Sequence, residues 1–237
     1  MIRAVHCIAV TLFCLIANAG CAARPGVEPV DRVTIFVPGV FGDGGWYDGL
    51  IDELNQSAGP VDVMTWGAPK AAFAANFSDP KIHADAETKL AAKLDALPPN
   101  VRANLVGHSA GCGVILGALS RVNRNVEHVV IIAPSVSPTY DLSPAVRRAA
   151  CGIDVFYSDK DTTFLKWRTG NFGTYDGIKT PAAGYAGFTK TTAHVRQHPY
   201  DPNWKSLGND GGHGGGVARA FVREVISPLL RQRDEPR

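Results

Sequence analysis

The residues with the clearest chemical meaning are Gly107-His108-Ser109-Ala110-Gly111, which fit the pattern G-x-S-x-G. A serine between two small-residue flanks suits a tight, strained turn, where missing Cβ atoms relieve the crowding. A serine hydroxyl is a weak nucleophile at neutral pH and needs a base, most often a histidine whose tautomer a carboxylate holds. The histidines after Ser109 are His128, His194, His198 and His213. His128 precedes an apolar run and falls at the wrong end of a strand. His213 lies in the glycine-rich stretch GNDGGHGGG just before the last helical pattern, so it is the preferred base, with His198 in reserve. For the acid, the apolar run 152–157 leads into Ser158-Asp159-Lys160-Asp161. Asp161 is preferred, with Asp159 and then Asp141 as alternatives. A negative charge developing on an attacked carbonyl needs preset N–H donors. Ala110, directly after the serine, offers one. Val40, in the glycine-rich loop after the first apolar run, offers the other, with Phe41 as its alternative. That loop lacks a Gly-Lys-Ser/Thr ending, so it is not a phosphate-binding loop. No second histidine or cysteine stands at ligand spacing, so neither a metal nor a cofactor is expected.

These residues need elements to hold them. Residues 32–37, 61–66, 101–106, 126–133, 152–157 and 192–197 read as short β-rich runs ended by turn residues. Residues 82–97, the segment after Ser109, 143–150 and 216–231 read as helices. The alternation predicts an α/β protein, with a mostly parallel sheet covered by helices on both faces. Function then gathers in the loops outside the carboxyl ends of the strands. Ser109, Asp161 and Val40 all follow a predicted strand.

The 237 residues suffice for one domain, and 45% apolar with 19% charged residues is a globular composition. The formal charge is +2, with no basic run, so nucleic-acid binding is not expected. Of five cysteines, Cys7, Cys14 and Cys21 fall in the N-terminal leader; Cys112 and Cys151 are too few for a disulfide framework and lie toward opposite sheet edges. Residues 1–21 combine Arg3 with an apolar stretch shorter than the about 20 residues of a bilayer span, which describes an export signal. Residues 22–30 read as a tether, and 31–237 as one domain.

The segments VTIFVPGVFGDGGW, LVGHSAGCG, VFYSDKD and GGHGG together resemble the α/β-hydrolase superfamily across most of residues 32–231. The resemblance implies Ser109 as nucleophile, Asp161 as acid, His213 as base, and the Val40 and Ala110 N–H groups as an oxyanion hole. Pro38 stands where members often carry a histidine, which leaves the backbone role of the loop intact. Too few residues separate 126–133 from 152–157 for a cap domain. The longer excursion 159–190 carries Phe164, Trp167, Phe172 and Tyr175, placed either to line an acyl pocket or to pack at the surface. The implied activity is hydrolysis of small-molecule esters or lipids. Thioesterase, lipase and acyltransferase activities share the same machinery. A catalytically retired binding protein and a non-hydrolytic lyase are the readings from other classes. Asn18-Ala19-Gly20-Cys21 resembles a bacterial lipoprotein box. It implies lipidation at Cys21, attachment to the cell envelope, and no other membrane contact. Ordinary cleavage after Ala17-Asn18-Ala19, giving a periplasmic or secreted protein, and an uncleaved anchor are the alternatives.

Overall fold

A computed structural model describes residues 31–42, 44–68, 75–190 and 192–231. Cys21 and the expected leader and tether lie outside the described residues. Six strands form one sheet: β1 (Arg32–Val37), β2 (Val61–Val63), β3 (Arg102–His108), β4 (Val129–Ile132), β5 (Ile153–Tyr157) and β6 (Val195–Pro199). Their order is β2-β1-β3-β4-β5-β6, and every neighbouring pair is parallel. The principal helices are α1 (Asp48–Ser57), α2 (Pro80–Asp95) and α3 (Ala110–Leu119). A short helix, α4 (Ser143–Val146), follows β4.

Side chains alternate between the two faces of the sheet, as the strand period requires. Ile35, Val37, Leu105, Val129, Ile131 and Val155 face the core shared with α2 and α3. Phe36, Val106, Val130, Ile132 and Phe156 face the core shared with α1 and the C-terminal helices. All ten residues of α3 are buried, as expected of a helix that is apolar all round. α2 begins where the Asp79 carboxylate accepts the Lys81 N–H ahead of Pro80 at the first helical position.

Several boundaries differ from expectation. The second strand stops at Val63, and Met64–Trp66 run on outside it. The fourth spans only Val129–Ile132, and the sixth is displaced to Val195–Pro199. The expected helix 143–150 is a single turn, Ser143–Val146. The expected closing helix starts later and is broken: Arg219–Phe221 and Ser227–Arg231 are α-helical, with a wider π turn at Val222–Ile226. Pro228 has no N–H for the Glu224 carbonyl, and its ring crowds that carbonyl, which accounts for the widening. Among the described residues no cap domain interrupts the sheet. Among the described residues no helix is long and apolar enough to cross a membrane.

Candidate active site

Ser109 joins β3 to α3 with φ 57° and ψ −123°, a conformation costly for a residue with a Cβ. The neighbouring chain makes the turn possible only with small flanks. A Cβ on Gly111 would sit 2.2 Å from the Val37 carbonyl oxygen and 2.4 Å from that of Pro38. A Cβ on Gly107 would press on the Cys112 backbone at 3.1 Å and on Ile115 at 2.8 Å. The turn is tied to the sheet by the Ser109 N–H, which donates to the Ile132 carbonyl at 2.9 Å.

His213 and Asp161 meet at this turn. His213 Nε2 lies 3.1 Å from Ser109 Oγ, and its Nδ1 lies 2.5 Å from Asp161 Oδ2. The other carboxylate oxygen of Asp161 accepts the N–H groups of Phe164 and Leu165 at 3.3 and 3.4 Å. The start of the helix at Thr162–Arg168 therefore fixes the acid while leaving Oδ2 to the imidazole. Asp161 is 4% exposed. The alternatives are elsewhere. Asp159 is exposed at the following turn, and Asp141 is exposed and accepts the Ser143 N–H. His198 Nε2 is 2.7 Å from Asp154, within the sheet.

Val40 and Ala110 are both buried beside Ser109. Neither backbone N–H has an acceptor among the described residues. Phe41 instead turns outward, 53% exposed, and packs edge-on against Phe77.

Sequence reasoning missed His108 and Tyr47. The imidazole of His108 is fully buried: its Nδ1 is 2.7 Å from Tyr47 Oη, and its Nε2 is 2.8 Å from the His213 carbonyl oxygen. Burial, reinforced by the nearby His213, drives the His108 pKa down to about 3, so the ring is neutral at ordinary pH. A carbonyl only accepts, so Nε2 carries the proton and Nδ1 accepts from the Tyr47 hydroxyl. Burial pushes the Tyr47 phenol up to about 12, so it keeps that proton. Tyr47 Oη in turn accepts the Gly39 N–H at 3.1 Å. One chain of hydrogen bonds thus links the loop before Val40 to the backbone of His213.

Aromatic rings complete the surroundings. Phe164 stacks on His213 with centroids 4.6 Å apart and planes at 22°. Trp46 lies edge-on to His108 at 5.6 Å and tilted over His213 at 6.4 Å. Of Phe164, Trp167, Phe172 and Tyr175, only Phe164 lines the pocket at Ser109. Trp167 and Phe172 pair with each other while largely exposed, and Tyr175 is buried with its hydroxyl donating to Glu87. Cys112 is a buried free thiol, so no disulfide joins it to Cys151. Among the described residues no group of His, Cys, Asp or Glu side chains could hold a metal ion.

No protein-family model matches the sequence, and no curated protein matches it. Solved structures do. The type II thioesterase YbtT of the yersiniabactin NRPS/PKS biosynthetic pathway aligns with TM-score 0.52 and 12% identity, over 88% of this chain and 98% of that one. Aspergillus fumigatus lipase B aligns with TM-score 0.52 and 15% identity over 86% of this chain, which spans 53% of the lipase. A putative hydrolase of the alpha/beta superfamily from Xanthomonas campestris pv. campestris gives TM-score 0.50 and 14% identity, over 82% of this chain and 98% of that one. The protein has the α/β-hydrolase fold. At these identities the likeness establishes the architecture, and the chemistry must be argued from the site.

Proposed function

We propose that the protein is a serine hydrolase that cleaves carboxylic esters through an acyl-enzyme. The observation that carries this reading is the continuous array Ser109 Oγ–His213–Asp161, at 3.1 and 2.5 Å, beside two N–H groups without acceptors among the described residues. In the forward step Ser109 Oγ attacks the ester carbonyl while His213 Nε2 takes its proton. Asp161 holds the Nδ1–H and stabilises the imidazolium. The carbonyl oxygen, now negative, is held by the N–H groups of Val40 and Ala110. Collapse breaks the bond to the alkoxide, which leaves with the proton from His213. Water, deprotonated by the same imidazole, then attacks the acyl-enzyme and releases the acid. A thioester, or an alcohol in place of water, would run through the same intermediate. An added alcohol separates hydrolysis from acyl transfer by its products.

The test is a fluorophosphonate probe on the protein without its leader, beside Ser109→Ala. The expected result is one adduct, located at Ser109 by mass spectrometry and lost in the variant. A folded sample that fails to react would refute an activated serine. Residues 1–21 as an export signal, with lipidation at Cys21 and attachment to the bacterial cell envelope, form part of the same proposal. Mass spectrometry of the membrane fraction, with and without Cys21→Ser, tests that part.

A further inference from the structure

The pocket that holds Ser109 and His213 is also lined by a cation, Arg168. Among the described residues no aspartate or glutamate lines that pocket. Arg168 closes the helical segment that Asp161 starts, so the element that fixes the acid also aims this guanidinium. The group is half-buried, and no carboxylate pairs with it among the described residues. Burial lowers its pKa. Its carbon lies 3.2 Å from the centroid of the Phe77 ring, and Phe77 is braced edge-on by Phe41 at 6.0 Å.

The manner of holding matters. A stack on Phe77 engages the flat face of the guanidinium and leaves its N–H donors in the plane of the group. Those donors form a fork suited to two oxygens of a carboxylate or phosphate. The side chain is already ordered by the ring, so a bound anion would not bear the full entropic cost of fixing a long arginine. A purely hydrocarbon ester would gain nothing from this cation and would leave its desolvation uncompensated.

We propose that the substrate carries an anionic group, a carboxylate or a phosphate, which the Arg168 guanidinium grips while Ser109 attacks the ester. The proposal rests on the serine hydrolase reading for its chemical step and deepens it by naming the substrate class. A charge-assisted pair of this kind corresponds to a preference of about tenfold to hundredfold over a neutral substrate of the same length.

Two pairs of esters test it and distinguish the source of the anion. Monomethyl adipate against methyl hexanoate places a carboxylate on the acyl side. The butyrate ester of 3-hydroxypropyl phosphate against butyl butyrate places a phosphate on the alcohol side. The expected result is at least a tenfold higher kcat/KM for the anionic member of one pair, shrinking as salt rises. In Arg168→Gln that ratio should collapse toward unity. Arg168→Lys, which keeps the charge without the planar fork, should retain an intermediate ratio. Preference below about threefold in both pairs, or a preference that survives Arg168→Gln, overturns the proposal. Calorimetric titration of monomethyl adipate and of propyl phosphate into Ser109→Ala reads the anion site without turnover. Binding of either that is lost in Ser109→Ala/Arg168→Gln supports the site, and no binding of either overturns it. Fluorophosphonate labelling in the same preparations keeps the two readings apart. Unlabelled Ser109 with Arg168-dependent anion binding removes the hydrolase reading and leaves the anion site. Labelled Ser109 without anion preference does the reverse.

Discussion

Tyr47→Phe removes one oxygen and leaves the ring in place between Phe36 and His108. Two buried groups then lose their partner. The Gly39 N–H had donated to that oxygen at 3.1 Å, and His108 Nδ1 had accepted from it at 2.7 Å. An unsatisfied buried polar group costs about 1–3 kcal/mol, so the pair sums to about 2–6 kcal/mol. For a domain of this size the lower end already corresponds to a drop in Tm of about 4–8 °C. The catalytic effect is separate. Gly39 precedes Val40, whose N–H in the proposed mechanism acts on charge that develops only in the transition state, so a loosened loop should lower kcat more than it changes KM. Losing an oxyanion donor outright costs about 10²–10³ in kcat; a displaced one should cost at least about tenfold. The assay is a thermal melt with steady-state ester kinetics, repeated in His108→Asn and in the double variant. Because both side chains belong to one chain of hydrogen bonds, the two changes should be non-additive. A Tyr47→Phe protein that melts within about 1 °C of the parent and keeps its kcat would refute the reasoning.

Three further outcomes follow from the geometry. Gly111→Ala, whose Cβ would stand 2.2 Å from the Val37 carbonyl, should displace the turn and abolish ester hydrolysis, with a melting temperature well below the parent's. Overpacking of this kind costs about 1–3 kcal/mol or more; a fully active, equally stable variant would contradict the turn geometry. Asp161→Asn should preserve fluorophosphonate access but lower kcat by several orders of magnitude, about 10⁴ where an analogous acid holds the tautomer. A kcat within tenfold of the parent's would remove Asp161 from the role. Acid should destabilise the fold through His108. Its pKa falls from 6.5 in the unfolded chain to about 3 in the native one. Below pH 6.5 the unfolded state therefore binds the extra proton, and stability present above that pH drains away down to about pH 3. Chemical denaturation across pH 7 to 4 should show this fall, and His108→Asn should flatten it.

The fold was legible because its strands are short, β-branched and ended by turn residues, while α3 is apolar throughout. The boundaries that shifted did so where tertiary contacts outweigh local pattern. Glycines 214–216 form the tight turn behind His213, so the last helix cannot begin there, and Pro228 breaks the regularity that Val217, Phe221, Val225 and Leu229 suggest. Residues that meet at the site were legible in proportion to how local their signal is. Ser109 carries its glycines with it, and His213 stands in an obvious loop, but Asp161 and Asp159 are separated only by which of them the helix at Thr162 buries.

His108 marks the limit of that legibility. It occupies the unspecified position of G-x-S-x-G, where the pattern asks for nothing. Its partners, Tyr47 and the His213 carbonyl, lie 61 and 105 residues away along the chain. Any side chain completes the pentapeptide. Only one with a donor and an acceptor on opposite sides of a ring can tie the loop before Val40 to the loop of His213 at the same time. Neutrality is part of that fit, because a protonated ring would present a donor where the Tyr47 hydroxyl must donate. The burial that depresses the His108 pKa therefore also keeps the two loops in register, and protonation should loosen both at once.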